Sequence, residues 1–358
     1  MKWSTSPLSE VADFSLGKML DDKKNKGEPL PYLANINVRW GEFDLENLRE
    51  MRFEHDEMER YGLQYGDIVM CEGGEPGRCA IWKDSVEGMM YQKALHRIRP
   101  RPGFDHRFLY YFFLHTGSRG GFSPLLTGAT IKHLPREKLS ILEINYPRPD
   151  VQRRIADTLS AYDDLIENNR RRMTLLEESA RHLYHEWFVH LRFPGYEHTR
   201  IVDGVPTGWK SKKLGDVAHV NKTNLSGTFD GDIIYIDIAS VTPGSINETT
   251  PYVFRDAPSR ARRVVRHGDI IWSCVRPNRR SHALVWRPPE NLVASTGFAV
   301  ISSIALPPSF LYQALTTDLF VGYLENHAKG AAYPAVVAGD FERAEVLAPP
   351  TCVGGGIR

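Results

Sequence analysis

The residues of this chain best equipped for chemistry are arginines. Nine of them (255, 260, 262, 263, 266, 276, 279, 280 and 287) fall between Arg255 and Arg287 against two acids, a formal charge of +7. A guanidinium is a planar fork of donors that matches phosphate oxygens and the edge of guanine. Arg276-Pro277-Asn278-Arg279-Arg280 follows an apolar run and suits a DNA-facing loop, with a solvated surface or a partner contact as the plainer alternative. Thr127-Gly128-Ala129-Thr130-Ile131-Lys132 matches Lys329-Gly330-Ala331-Ala332-Tyr333-Pro334. The shared Gly128 and Gly330 let backbone approach a phosphate, while Thr130, Lys132 and Tyr333 differ between the two loops as base readers would. Gln92-Lys93 lies opposite the region ending at Thr296, and a glutamine can pair bidentately with adenine. Arg39-Trp40 is a weaker candidate of the same kind.

Catalytic signatures are missing from the sequence. No GxxxxGK phosphate loop, no Asn- or Asp-Pro-Pro-Tyr run, no GxSxG and no HExxH occurs. A non-catalytic chain with no cofactor and no metal is expected. His182, His185 and Glu186 share a helical face but lack a third ligand, which favours solvated flank residues. Glu72-Gly73-Gly74-Glu75-Pro76-Gly77 is glycine-rich, yet its two acids would repel phosphate, so a turn is expected. Phe53 to Ser85, which contains this segment and is the counterpart of the arginine-rich stretch, carries −5. Over all 358 residues the net charge is only +1, so the overall balance advertises no polyanionic partner. Cys71, Cys79, Cys274 and Cys352 form no CxxC pair, which suits a reducing compartment. No apolar h-region follows Met1 and no run is long enough to span a bilayer. A cytoplasmic chain with no membrane contact is expected.

The elements that must position these residues occur twice. Gly66-Asp67-Ile68 recurs as Gly268-Asp269-Ile270, Phe108-Leu109-Tyr110 as Phe310-Leu311-Tyr312, Gly128-Ala129 as Gly330-Ala331, and Pro147 as Pro349, all at an offset of 202. Four matches in order at one offset indicate a duplicated module of roughly 145 residues. The short apolar runs after the Gly-Asp turns read as strands, and the Phe-Leu-Tyr segments suit short buried helices, with strands as the alternative. Between the copies, Ile155, Leu159, Tyr162, Ile166, Asn169, Met173, Leu176, Ala180, Leu183 and Trp187 are spaced 4-3-4-3-4-3-4-3-4. That is the seam of a coiled-coil-type helix, free of Pro and Gly from Val151 to Arg192. At 1.5 Å per residue such a rod would run roughly 55–60 Å. An ordinary amphipathic helix lying on a domain is the alternative.

These residues carry a resemblance. Gln152-Arg153-Arg154-Ile155-Ala156, Asp163-Asp164-Leu165-Ile166-Glu167-Asn168-Asn169, Leu175-Leu176-Glu177, Phe188 and Gly204-Val205-Pro206-Thr207-Gly208-Trp209 together resemble the type I restriction–modification specificity subunit. The resemblance covers nearly the whole chain. It implies two target recognition domains, each reading half of a bipartite sequence in double-stranded DNA. It also implies two long antiparallel helices that separate those domains and dock methyltransferase subunits. Methylation and cleavage would belong to methyltransferase and restriction/translocase partners. Two non-identical modules predict an asymmetric site.

The predicted architecture is therefore α+β: two similar mixed α/β recognition domains at 1–149 and 209–350, a spacer helix at 150–192 and a linker at 193–208. One departure from the family pattern stands out. After Pro349-Pro350 the second copy should enter its own helix, but 351–358 read Thr-Cys-Val-Gly-Gly-Gly-Ile-Arg. Consecutive glycines oppose a helix by about 1 kcal/mol each. The expectation is a truncated or frame-shifted end that lacks the second spacer helix and leaves the seam open to self-association, with a naturally short form that borrows a helix from another chain as the alternative. An assembly-only or decoy subunit with weak DNA binding is the rival reading. A fused methyltransferase fragment is another, against which the missing cofactor motif counts.

Overall fold

The two Gly-Asp turns mark the centre of each half. Gly66 and Gly268 take φ of +85° and +82°, a left-handed bend that glycine makes without strain. Each bend launches a strand, Ile68–Cys71 or Ile270–Ser273, whose residues are all buried. The computed structural model describes residues 3–19, 21 and 25–350; the Gly-rich tail, and with it the expected loss of a second helix, lies outside the described residues. The chain divides into two units, Met1–Arg171 and Arg172–Arg358.

Within the first unit, the strand Ile68–Cys71 sits inside an antiparallel sheet ordered Ala12–Leu16, Leu95–Pro100, Ile68–Cys71, Cys79–Ile81. The second unit repeats that order with Ala218–Val220, Phe298–Ser303, Ile270–Ser273 and His282–Leu284. An apolar run without polar alternation belongs in a strand covered on both faces. Ile68 and Met70 pack with Leu109 and Phe113 of the helix His106–Ser118, whereas Val69 and Cys71 pack with Trp82, Tyr91 and Leu95. In the second unit Ile270 and Trp272 meet Leu311 and Leu315 of the helix Pro308–Leu315, and Ile271 joins Val265, Ala283 and Val300. The Phe-Leu-Tyr segments are thus helices, not the strands that their sequence also allowed.

A second sheet accompanies each of these. In the first unit it is ordered Arg49–Phe53, Glu28–Leu33, Met90–Tyr91, with a parallel pairing between the last two. In the second unit Thr250–Val253, Asp232–Ile236 and Leu292–Ser295 repeat it, and Ala261–Val264 adds a fourth strand. The ends of each unit meet in a two-stranded ribbon, Ser4–Pro7 with Glu143–Tyr146 and Lys210–Lys213 with Glu345–Ala348. The Asp of each Gly-Asp turn is buried but served differently. Both Asp67 oxygens accept from Arg99, each at 2.7 Å. Asp269 accepts from Ser302 and from the Arg266 amide, and burial raises its pKa.

The helix between the copies runs Pro149–Tyr184 and continues as a π turn, His185–Val189. In the first unit Gln152 is buried, donating to the Pro147 carbonyl at 2.9 Å and accepting from the Asp105 amide. Arg107 pairs with Asp157 at 2.8 Å, and the Tyr111 hydroxyl donates to Asp163 at 2.6 Å. In the second unit Tyr184 and Phe188 pack against Phe310, and Phe188 against Trp209 at 5.5 Å. The sequence pattern extends a helix to Arg192, but regular α geometry stops at Tyr184. The π turn brings Phe188 into the aromatic cluster. Leu191 at φ +59° and a bond from the Arg192 amide to the Glu186 carbonyl then close the end in a Schellman-like cap.

That end also redirects the last seam position, since Trp187 packs against the core of the second unit. Ile155 is half-buried at the other end. The seam positions from Leu159 to Leu183 are exposed among the described residues, Leu176 at 69%.

His282 gives this fold a pH dependence. It lies against Trp272 with its Nδ1 3.2 Å from the Tyr312 hydroxyl. Burial, with Arg280 and Arg181 nearby, pushes its pKa down to about 4. A histidine whose folded pKa lies below its unfolded value of ~6.5 stabilises fully above that value. The contribution fades as pH falls from there toward the folded pKa, by up to about 3 kcal/mol. The thermal midpoint is expected to drop more steeply between pH 6.5 and 4.5 in the parent than in His282→Asn, as measured by calorimetry.

Candidate nucleic-acid interface

The same three loops converge in each unit at the C-terminal end of its central strand. In the second unit residues 274–280 leave the strand Ile270–Ser273. The Cys274 amide donates to the Gly297 carbonyl at 2.8 Å, in the turn that carries Thr296. The Val336 amide donates to the Cys274 carbonyl and the Arg276 amide to the Pro334 carbonyl, joining the loop 329–335. That loop is closed on itself by two bonds between Lys329 and Ala335, both 2.9 Å. In the first unit the Glu72 amide donates to the Ala94 carbonyl and the Leu134 amide to the Glu72 carbonyl. Thr127 and His133 close the third loop with bonds of 2.8 and 2.9 Å.

Glycine is required at the first bend of the closed loops. Gly128 has φ +92°, and a Cβ there would lie 2.1 Å from the Ile131 carbonyl oxygen. Gly330 takes the same bend at φ +105°. With the bend made by glycine and the closure by main-chain bonds, the residues between are left to solvent. Thr130, Lys132 and Tyr333 are all exposed.

The residues singled out in the sequence therefore fall into two groups. In the first unit Gln92, Lys93, Gly128, Thr130 and Lys132 belong to one loop cluster, with Lys93, Thr130 and Lys132 exposed and Gln92 half-buried. The Gln92 amide is tied to the Leu33 carbonyl and the Lys93 amide to the Lys18 carbonyl. In the second unit Arg276, Asn278, Arg279, Arg280, Thr296, Gly330 and Tyr333 form the other. Asn278, Arg279 and Thr296 are exposed there, while Arg276 and Arg280 are half-buried. The Arg276 guanidinium lies 4.5 Å above the Tyr333 ring and donates to the Ala332 carbonyl at 3.2 Å. Arg280 pairs with Asp318 and holds that carboxyl below its ordinary pKa.

The arginine-rich stretch does not form one patch. Arg260 reaches Asp237, Arg262 covers the Phe254 ring and Arg263 donates to Asn224 at 2.8 Å, all around the second sheet. Arg266 and Arg287 line a shallow cleft at the opposite end of the strand Ile270–Ser273. Arg276, Arg279 and Arg280 remain in the loop cluster, and Arg260 joins its edge through its carbonyl, which accepts from the Thr296 amide. It was hidden because 36 residues separate that pair and a bulge between Ala261 and Arg263 shifts their register.

The first cluster is electrically different. Burial raises the pKa of Glu72, while His133 and Lys93 pull against that shift. Glu75 accepts from the Trp40 indole at 2.7 Å and from Arg78 at 2.9 Å. Arg39 pairs with Asp44 at 3.5 Å. Glu72 to Gly77 forms a turn, as its composition suggests, and the described residues hold no group of side chains arranged for a metal.

Residues 1–178 match the family model described as the type I restriction modification DNA specificity domain. The chain is 24% identical to the type I restriction enzyme MjaIX specificity subunit of Methanocaldococcus jannaschii, across 97% of this chain and 83% of that protein. It is 30% identical to the type I restriction enzyme HindI specificity subunit of Haemophilus influenzae over 34% of this chain and 27% of the relative. The fold is similar to that of the type I restriction–modification system S subunit from M. genitalium, with a TM-score of 0.59 and 17% identity over 99% and 87% of the two chains. With its two-domain α+β architecture and long central helix, the chain belongs to the family of type I restriction–modification specificity subunits.

Proposed function

We propose that this specificity subunit reads a bipartite, asymmetric target in double-stranded DNA, one half with each three-loop cluster. The observation that carries this reading is the repetition of one loop frame with different side chains at its tips. Lys93 stands where the second unit presents Thr296, the loop with Thr130 and Lys132 where it presents Tyr333, and residues 72–77 where it presents Arg276, Arg279 and Arg280. Similar frames with unlike tips suit two readers of unlike half-sites. Residues 1–149 and 209–350 would be the recognition domains, 150–192 the spacer and 193–208 the linker. Specificity subunits are generally non-catalytic, so methylation and cleavage would fall to methyltransferase and restriction/translocase subunits.

The test is an exchange. Replacing residues 1–149 by the corresponding domain of a related subunit, in the assembled methyltransferase complex, should change one half of the methylated sequence and leave the other. Replacing 209–350 should change the other half only. Alteration of both halves by either exchange would defeat the two-reader account.

The exposed seam has a role in the same reading. Contiguous apolar surface on a helix tends to associate. Asn169 within it would favour a partner that offers a hydrogen bond, fixing register more than adding stability. The seam would be covered by methyltransferase subunits in the complex and by another copy of the chain in their absence. The purified chain is expected to sediment as a concentration-dependent oligomer. Met173→Glu with Leu176→Glu should make it monomeric and weaken methyltransferase docking. A stable monomer at all micromolar concentrations would remove the seam as an association surface.

A further inference from the structure

The loop that follows the central strand has equivalent bends in both units, made by different residues. In the first unit the chain passes through positive φ at Gly74 (+82°) and Gly77 (+92°). The bridges Gly73 to His133 and Val275 to Ala335 place Arg276 at the position of Gly74. The bonds from the Cys71 amide to the Arg78 carbonyl and from the Ser273 amide to the Ser281 carbonyl place Arg280 at that of Gly77. Both arginines keep the left-handed conformation, with φ of +50° and +53°.

A side chain in that region strains the backbone, and glycine relieves the strain. The second unit therefore holds two arginines where its own sister copy shows that glycine serves. Core packing does not account for them, because both are half-exposed. Their contacts lie at the surface: Arg276 on the exposed Tyr333 ring and the Ala332 carbonyl, Arg280 on Asp318. Such contacts hold a guanidinium in one direction without covering it. Strain retained at a surface loop points to a role for the side chain.

We propose that Arg276 and Arg280 are specificity-determining residues of the second unit, whose fixed guanidinium forks read guanine edges in duplex DNA. The proposal rests on the reading above that this cluster faces DNA. A phosphate contact would be served by a flexible lysine or arginine on an unstrained segment. A bidentate pair with guanine O6 and N7 needs the fork held in one plane, and that is what an aromatic face or a fixed carboxylate provides. At the same bends the first unit has glycine and no fork, so its half-site is not read by arginine there. Asn278 and Arg279 complete the tip between the two bends.

The test uses Arg276→Gly and Arg280→Gly, singly and together, in the complex with methyltransferase subunits. Thermal unfolding is measured beside binding to a duplex library randomised in both half-sites. Each substitution should leave the unfolding midpoint unchanged or raise it. Each should also abolish preference for guanine at a position in one half-site, by about tenfold to a hundredfold. A midpoint lowered by several degrees would make the arginines structural and overturn the proposal. Unchanged preference would overturn it too, as would uniform weakening across all sequences with a salt slope reduced by about 0.9 per arginine, the mark of a phosphate contact. The 209–350 exchange separates the two levels. If it shifts a half-site while the glycine variants do not, only the guanine assignment fails. If it shifts neither half-site, the underlying DNA reading fails.

Discussion

Each unit is organised by a four-residue strand with no solvent-facing side. Ile68–Cys71 and Ile270–Ser273 send alternate side chains into separate cores, helical on one side and sheet-lined on the other. Burial of an aliphatic side chain contributes roughly 1.5–3 kcal/mol, so these strands anchor their layers strongly for their length. The constraint has a direct effect on the loops. Whatever leaves the C-terminal end of such a strand starts from a firmly held point. Residues 72–77 and 274–280 leave there, and main-chain bonds tie two further loops to them. Candidate reading residues are thus carried on short loops with rigid roots.

Around that shared centre the copies have diverged in charge while keeping their layers. In the first unit the helix His55–Tyr61, with Asp56, Glu57 and Glu59, occupies the chain segment before the central strand. Glu57 pairs there with the buried Lys18, which also donates to the Arg52 carbonyl at 2.8 Å. In the second unit the corresponding segment is the strand Ala261–Val264, which carries Arg262 and Arg263. Helix and strand meet the same need, since each covers the region beside the short strand Met90–Tyr91 or Leu292–Ser295. Much of the charge contrast between the halves therefore belongs to scaffolding.

This explains what could be read from the residues alone. Gly-Asp turns and Phe-Leu-Tyr helices were legible because local chemistry and burial agree at those places. The long helix was legible because a 4-3 spacing has few other uses. Its end at Trp187 was not, because the choice between α and π geometry was made by Trp209 and Phe310, far along the chain. The grouping of arginines was illegible for a similar reason: closeness in sequence says little when strands and bulges carry neighbours to opposite ends of a sheet. Gly128 and Gly330 marked their loops correctly, since the required backbone bend is a local property.

The closure of loops 127–133 and 329–335 has an evolutionary consequence. Their shape is held by peptide groups, which every residue supplies, and by a single glycine at the bend. Exposed tip residues can then be replaced one at a time without reshaping the loop or disturbing the core beneath. Point substitutions at Thr130, Lys132 or Tyr333 would alter what the surface presents while the fold stays out of reach of selection against instability. Diversity in such a protein can accumulate by drift along its tips, with no intermediate that fails to fold.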